Sequence, residues 1–387
     1  MTRYGLYSYT TENIGDEIQS IAARRFLPRV DAYVDRDKVG EWVSPFAGEP
    51  VKIIANGWYM RDPFSWPPCD PSLDPLLISI YIERCGVGPK LVKPADVFMT
   101  DESRRYLQKH GPVGARDLAT LGFLRDNGID SYYSGCLTLT LERDPHLAKQ
   151  DYILAVDVSD SVYQAMVERT DRTVIRVSPF GDFSLSSGDR MSVAELFLGV
   201  YQSAHAVVTT RLHALLPCLA LNVPVLLIME PGKYDENRYS GLAGLANSIY
   251  PDDFINGDGQ FDLENPPHNP TRYYSLRKQL IETCRAFTGF DAGCSFDVSH
   301  LSGLISDVHI LSAFFESYQR RHAAMLLSRD VGTLRRRVDA LEEDKRNLEN
   351  RLSVLSGELN YVRKNYDQVK TTSLYWLIRG LKRRVLR

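Results

Sequence analysis

The chain has 387 residues, 44% of them apolar, and a formal net charge of −3. That length is enough to bury two ordinary domain cores with chain left over, and the near balance of charge excludes the overall basic footprint of a nucleic-acid binder. No apolar run reaches a membrane-spanning length and Met1-Thr2-Arg3-Tyr4-Gly5 does not open a secretory signal, so a cytoplasmic protein is expected.

Tyr4 to Tyr9 reads as a first strand, and the segment from Asp16 to Phe26 has apolar residues at Ile18, Ile21, Ala22 and Phe26, the spacing of one buried helix face. Val51-Lys52-Ile53-Ile54-Ala55 reads as a second strand that ends at the turn Asn56-Gly57. A helix from Thr100 to Lys109, the stretch Val113-Gly114-Ala115-Arg116 and a helix from Asp117 to Asp126 follow. This α/β series is expected to form an N-terminal domain over residues 1–148. Six cysteines (Cys69, Cys85, Cys136, Cys218, Cys284, Cys294) make no CxxC pair and no His/Cys cluster, so neither a metal site nor a disulfide framework is expected.

A second α/β series over residues 149–318 begins with the continuous apolar strand Tyr152-Ile153-Leu154-Ala155-Val156, the kind covered on both faces of a parallel sheet. It continues with Thr173-Val174-Ile175-Arg176-Val177, a helix from Val193 to Ser203, the strand Ala206-Val207-Val208 and the strand Val223 to Ile228. Between the last two lies Thr209-Thr210-Arg211-Leu212-His213, at the carboxyl end of a strand and the start of a helix. Open α/β sheets bind ligands there, and the free N–H groups and positive dipole end of a helix start favour an anion. Arg211 adds a fork of donors, and His213 adds a group able to exchange a proton near neutral pH. The alternative is a purely structural one: Thr210 caps the helix, Arg211 is solvated and His213 packs in the core.

From Leu327 a heptad repeat sets Leu327, Leu334, Leu341, Leu348, Leu355, Val362 and Val369 at d and Val331, Val338, Lys345, Leu352, Leu359 and Tyr366 at a. A coiled coil over 319–370, dimeric through 327–369, is expected. The tail over 371–387 mixes Tyr375, Trp376, Leu377 and Ile378 with Arg379, Lys382, Arg383, Arg384 and Arg387, which suits either an interfacial helix on anionic lipid or a solvated basic end.

Asn13-Ile14-Gly15-Asp16 after the first strand, the turn Gly114-Ala115-Arg116-Asp117, and Thr210-Arg211-Leu212-His213 before Ala214-Leu215 together resemble the polysaccharide pyruvyl transferases over roughly residues 3–260. The resemblance implies an α/β fold of two Rossmann-like domains facing across a cleft, as in type B glycosyltransferases, with the acceptor on the N-terminal side and the donor on the C-terminal side. It implies a phosphoenolpyruvate donor, pyruvyl transfer as a ketal onto two hydroxyls of a glycan or lipid-linked sugar acceptor, release of phosphate, and no cofactor. Carried over by motif, Arg116 and Arg211 would hold the donor's phosphate and carboxylate. His213 would be the general acid, protonating either the methylene carbon or the departing phosphate. Asp16 would activate an acceptor hydroxyl or serve only as a first-turn charge. Asn13, Gly15 and Arg238, the last in Arg238-Tyr239-Ser240-Gly241, are further candidate substrate contacts. The coil and tail lie outside the family core; endings of this kind resemble those of bacterial enzymes that build surface glycans, which would put the protein on the inner face of the plasma membrane.

Two rival readings stand beside this one. A nucleotide-sugar glycosyltransferase of the same fold would need an acidic residue on a ribose after a late strand, and Glu230 is the candidate. A glycan-binding coiled-coil scaffold would need no chemistry at His213.

Overall fold

A computed structural model describes every residue except 62, 63, 89, 182–184, 231, 233–235, 260, 295, 386 and 387, and every side chain within those limits except those at 236, 369, 374, 384 and 385. The heptad position Val369 and the tail residues Leu374, Arg384, Leu386 and Arg387 therefore lie outside the described side chains. The chain forms two compact units, Met1–His322 and Ala323–Arg387.

In the first unit the elements run β1 (Arg3–Ser8), α1 (Gly15–Arg24), β2 (Ala32–Asp35), β3 (Val51–Tyr59), β4 (Leu73–Ile82), α2 (Pro94–Phe98), α3 (Asp101–His110), β5 (Val113–Ala115), α4 (Leu118–Asp126) and β6 (Ser131–Tyr133). They continue with β7 (Tyr152–Val156), α5 (Asp160–Val167), β8 (Thr173–Val177), α6 (Ser187–Ser203), β9 (Ala206–Thr209), α7 (Leu212–Ala220), β10 (Val225–Ile228) and β11 (Asn247–Ile249). The helices α8 (Pro251–Asn256), α9 (Tyr274–Thr288) and α10 (Ser302–Ser306) follow, and α11 (Val308–Val385) runs on into the second unit. The strands make two sheets, ordered β2-β1-β3-β4-β5-β6 and β11-β10-β9-β7-β8, and every ladder is parallel. In each sheet the order reverses direction beside the first strand, at β1/β3 and at β7/β9, which is where open α/β sheets form a ligand crevice.

Alternation along the strands divides the core into layers. Leu6, Ile54, Leu154, Val156 and Val207 belong to one buried cluster fed by both sheets, with α1, α6 and α7 packed into it. Tyr7, Ile53 and Ala55 face a separate core on the far side of the first sheet, and Ile153, Ala155 and Val208 face a third beyond the second sheet. The shared layer buries α1 from Gly15 to Ala23 on all sides, not on the single face that the spacing predicts. Its polar residues find partners there: Ser20 Oγ donates to Tyr7 O at 2.8 Å, and Arg190 Nε of α6 donates to Glu17 Oε1 at 2.5 Å.

Three sequence expectations change. β3 does not end at Asn56-Gly57 but passes through it to Tyr59, with a register shift between Ala55 and Gly57, so the pair is a bulge within the strand. β2, β4 and β6 join the first sheet where the sequence reading places no strand; β4 carries Pro75 and a positive φ at Ser79, both untypical of an inner strand. Thr210 is not the cap of α7: the N-cap is Arg211, and Thr210 Oγ1 donates to the carbonyl of Asp157 at 2.9 Å.

The second unit is helical throughout its described residues. Leu327, Leu341 and Leu355 of the heptad seam are 66%, 60% and 61% exposed on the single chain. No helix among the described residues is long and apolar enough to cross a membrane.

Candidate active site

The loop after β1 is built by backbone pairing to the loop after β8. Ile14 N donates to Pro179 O at 2.8 Å and Gly181 N to Glu12 O at 2.6 Å, with Asn13 bridged to Phe180. Asn13 Oδ1 accepts from Gly15 N at 3.1 Å, so this amide shapes the turn. The turn drives Gly15 against the first turn of α7: a Cβ built on Gly15 would lie 2.4 Å from His213 Nδ1. Only glycine permits this approach.

β9 delivers Arg211 and His213. Thr209 Oγ1 accepts from Arg211 N at 2.9 Å and Tyr239 Oη donates to Thr210 O at 2.8 Å, which fixes the strand-to-helix turn. Arg211 Nε donates to Asp157 Oδ2 at 2.6 Å, and the guanidinium carbon lies 4.6 Å from the centroid of Phe180. Asp157 follows β7 directly with φ +53°, a left-handed conformation uncommon outside glycine that turns its carboxylate under Arg211. His213 is buried, and its Nε2 has no hydrogen-bond partner among the described residues.

Arg116 follows β5, its N donating to Ile80 O at 2.9 Å. Its side chain is 1% exposed, and none of its three nitrogens has a hydrogen-bond partner among the described residues. Asp117 Oδ2 stands 3.7 Å away, while Asp117 Oδ1 caps α4 by accepting from Thr120 N at 2.8 Å. Arg238 comes alongside because Leu118 N and Ala119 N donate to Ser240 O and Ser240 Oγ at 3.1 and 2.9 Å. The guanidinium carbons of Arg116 and Arg238 lie 4.5 and 5.7 Å from the centroid of one ring, Tyr81.

Asp16 is held inside the fold. Its carboxylate accepts from Thr11 Oγ1 at 2.8 Å and Gln19 Nε2 at 3.4 Å, and stands 3.6 Å from Arg36 Nη1. Arg36 is completely buried, with Nε and Nη2 on Asp37 and its guanidinium 4.8 Å from the Tyr9 centroid. Burial opposes its charge, but Asp37 and Asp16 hold its pKa above the ordinary arginine value. Glu17, one residue on, titrates near 7 because burial raises its carboxyl more than Arg190 lowers it.

The electrostatic result converges on His213. Burial, then Arg116, Arg238, Arg211 and Arg36 in that order, hold its pKa well below the ordinary histidine range, so the imidazole is neutral in the free chain. Arg116 too is pulled down, first by burial and then by Arg238, against the opposing effect of Asp117. A site that gathers guanidiniums around an uncharged base, and leaves one guanidinium without a hydrogen bond among the described residues, is complementary to a compact polyanion.

A model of the polysaccharide pyruvyl transferase family matches residues 13–230, more than half of the chain. The chain belongs to that family. No curated protein matches it. Similar solved structures include a functionally uncharacterized protein from Klebsiella pneumoniae subsp. pneumoniae, at 11% identity over 61% of this chain and 87% of that one with a TM-score of 0.36. The UDP-GlcNAc 2-epimerase of Methanocaldococcus jannaschii, in complex with UDP-GlcNAc and UDP, is 11% identical over 73% of this chain and 99% of that one with a TM-score of 0.32. The wall teichoic acid polymerase TagF is 12% identical over 81% and 89% with a TM-score of 0.33.

In this polysaccharide pyruvyl transferase the fold brings Gly15, Arg116, Arg211, His213 and Arg238 together and sets Asp16 behind Gly15. Of these, Arg238 alone lies beyond the residues the family model matches. Arg36, Asp157, Phe180 and Tyr81 complete this cluster and are not singled out in the sequence. Asp157 had a signal, since it follows a continuous apolar strand at its carboxyl end. Arg36 had a weaker one, the charged triplet Asp35-Arg36-Asp37.

Proposed function

We propose that the chain transfers pyruvate from phosphoenolpyruvate to two hydroxyls of one sugar, as a ketal, in a surface polysaccharide or its lipid-linked precursor. The observation that carries this reading is the set of four guanidiniums around neutral His213, with none of the Arg116 nitrogens hydrogen-bonded among the described residues. Phosphoenolpyruvate offers a phosphate and a carboxylate on a three-carbon frame, and guanidiniums match both in geometry and charge.

In the reaction the donor's methylene carbon takes one proton and becomes a methyl group. The central carbon forms two C–O bonds to the sugar, and its C–O bond to phosphate breaks. Of the two hydroxyl protons lost, one balances the methyl group and the other leaves with phosphate. Arg116, Arg211 and Arg238 would neutralise the donor and the departing phosphate. Donor charge also opposes the arginine field that keeps His213 neutral, so the imidazole gains its proton with the donor and can deliver it as the general acid. Asp16, ion-paired and hydrogen-bonded, would keep Gly15 and Arg36 in place more than act as a free base.

The exposed heptad seam supports a parallel coiled-coil dimer. The exposed Tyr375, Trp376, Ile378, Arg379, Lys382 and Arg383 support contact with an anionic lipid surface on the cytoplasmic face. Deleting residues 373–387 tests the latter: membrane-fraction association should be lost, and unchanged association contradicts it. The function itself is tested by phosphate release from phosphoenolpyruvate with a panel of glycan and lipid-linked acceptors. Release that disappears in Arg211→Ala and His213→Ala is the expected result; no binding of the donor at all rejects the reading.

A further inference from the structure

Beside the guanidinium cluster, on the first-sheet side, lies a second group of buried polar atoms with different chemistry. Arg36 Nη1, Gln19 Oε1 and Asn56 Oδ1 are all shielded from solvent without a hydrogen-bond partner among the described residues, Arg36 Nη1 keeping only its 3.6 Å ion pair with Asp16. Their residues are 0%, 0% and 1% exposed. Which end of each amide is oxygen follows from its neighbours. Gln19 Nε2 donates to the Asp16 carboxylate at 3.4 Å and Asn56 Nδ2 donates to Gln19 O at 3.1 Å. Both of those partners can only accept, so the amide oxygens are the atoms left over.

Gly57 packs directly against this group. Its φ of +136° suits glycine, and a Cβ there would stand 3.6 Å from Gln19 Oε1, 3.6 Å from Arg36 Cδ and 4.0 Å from Arg36 Nη1. The bulge between Ala55 and Gly57 is what turns Asn56 and Gly57 toward this spot. The group adjoins the reaction centre through Asp16 and Gly15, and Arg36 is one of the four cations that act on His213.

The two halves of the site therefore differ in what they can bind. Arg116 and Arg238 offer donors alone and suit an anion. Arg36 with Gln19 and Asn56 offers one donor and two acceptors, and a hydroxyl both accepts and donates. A buried polar atom that makes no hydrogen bond is unfavourable, and a ligand that supplies the missing bond removes that cost.

We infer that Arg36, Gln19 and Asn56 form the subsite for the acceptor's hydroxyl pair, with the two amide oxygens accepting hydrogen bonds from the hydroxyls and Arg36 Nη1 donating to a hydroxyl oxygen. The inference rests on the proposed ketal transfer and names the residues that select the acceptor. It divides the labour of the site: the arginines after β5 and β9 take the donor, and the shelf formed by α1, the turn after β2 and the bulge of β3 takes a vicinal or 1,3-diol.

The test uses the full chain with methyl glucopyranoside, methyl galactopyranoside and methyl mannopyranoside as acceptor probes, read by saturation-transfer NMR. Phosphoenolpyruvate binding is read separately by calorimetry. Gln19→Met keeps the side-chain shape and removes the acceptor; Asn56→Ala is the second variant should the first not fold, and circular dichroism checks both. Wild type should bind at least one glycoside, and either variant should weaken that binding about tenfold, the worth of one hydrogen bond. Donor affinity should stay within about twofold, because no donor-binding arginine is touched. The inference is overturned if wild type binds the donor but none of the glycosides, if the variants bind glycoside as well as wild type, or if donor affinity falls in step with glycoside affinity. Glycoside binding that needs Gln19 in a protein unable to bind phosphoenolpyruvate keeps the hydroxyl subsite and rejects the proposed donor instead.

Discussion

Gly15 and His213 stand so close that a methyl group on Gly15 would overlap the imidazole, 2.4 Å from Nδ1. One residue opens the helix that follows the first strand of the first sheet, and the other sits in the helix that follows β9 of the second. The contact sets the position of the imidazole from outside its own helix. Gly15→Ala should displace the ring and lower the rate of transfer by about a hundredfold, the scale of a misplacement near 1 Å. Phosphate release with matched circular dichroism spectra checks this; an active Gly15→Ala would mean that the ring position is not critical.

Arg116 is a buried cation with no hydrogen bond of its own among the described residues, so its place is better explained by a ligand than by stability. Arg116→Met should melt within about 3 °C of wild type, since about 1 kcal/mol corresponds to a few degrees in a protein this size. Phosphoenolpyruvate should raise the melting temperature of wild type and not of Arg116→Met. A large loss of stability in the variant without ligand would make Arg116 a structural residue.

The pH dependence follows from His213. Its pKa in the folded chain is depressed by burial and by the four arginines, so the unfolded chain binds the proton more readily. The stability this contributes is present above the unfolded histidine value, about 6.5, and is lost as pH falls below it. In the proposed reaction the donor's negative charge opposes this field, which should draw a proton in. Calorimetry in buffers of different ionisation enthalpy should therefore show more protons taken up per donor bound by wild type than by His213→Gln. Equal uptake would remove His213 from the proton's path.

The exposed seam of Leu327, Leu334, Leu341, Leu348 and Leu355 predicts a dimer in solution. Sedimentation of the full chain should give twice the monomer mass. Leu341→Asp combined with Leu348→Asp should yield monomers, because a charge at a buried d position is strongly unfavourable. A wild-type monomer at micromolar concentration contradicts the dimer.

The legible parts of this protein were those written locally. His213 and Arg211 stand out because a buried strand, a turn and a helix are contiguous in sequence around them, and the helical periodicity that underlies α11 needs no tertiary information. Arg36 was not legible: β2 is four residues long, its Tyr33 is 51% exposed, and the role of the arginine depends on Tyr9, just after β1, and Asp16 in α1. Tyr81, the ring shared by Arg116 and Arg238, was hidden because Pro75 makes β4 read poorly as an inner strand. Thr210 read as a helix cap, yet its hydroxyl is taken by the carbonyl of Asp157 across the switch between β7 and β9. In each case the deciding partner lies far away in sequence.

The central claim is ketal transfer from phosphoenolpyruvate at His213, and the most direct measurement is the mass of the acceptor after incubation with that donor. Lipid-linked glycans and free oligosaccharides would be offered to wild type and to His213→Gln, with released phosphate counted in the same reactions. The account predicts an acceptor heavier by one pyruvate less one water, matched by one phosphate, in wild type alone. An acceptor that instead gains a sugar from a nucleotide sugar, with phosphoenolpyruvate neither bound nor consumed, would contradict it.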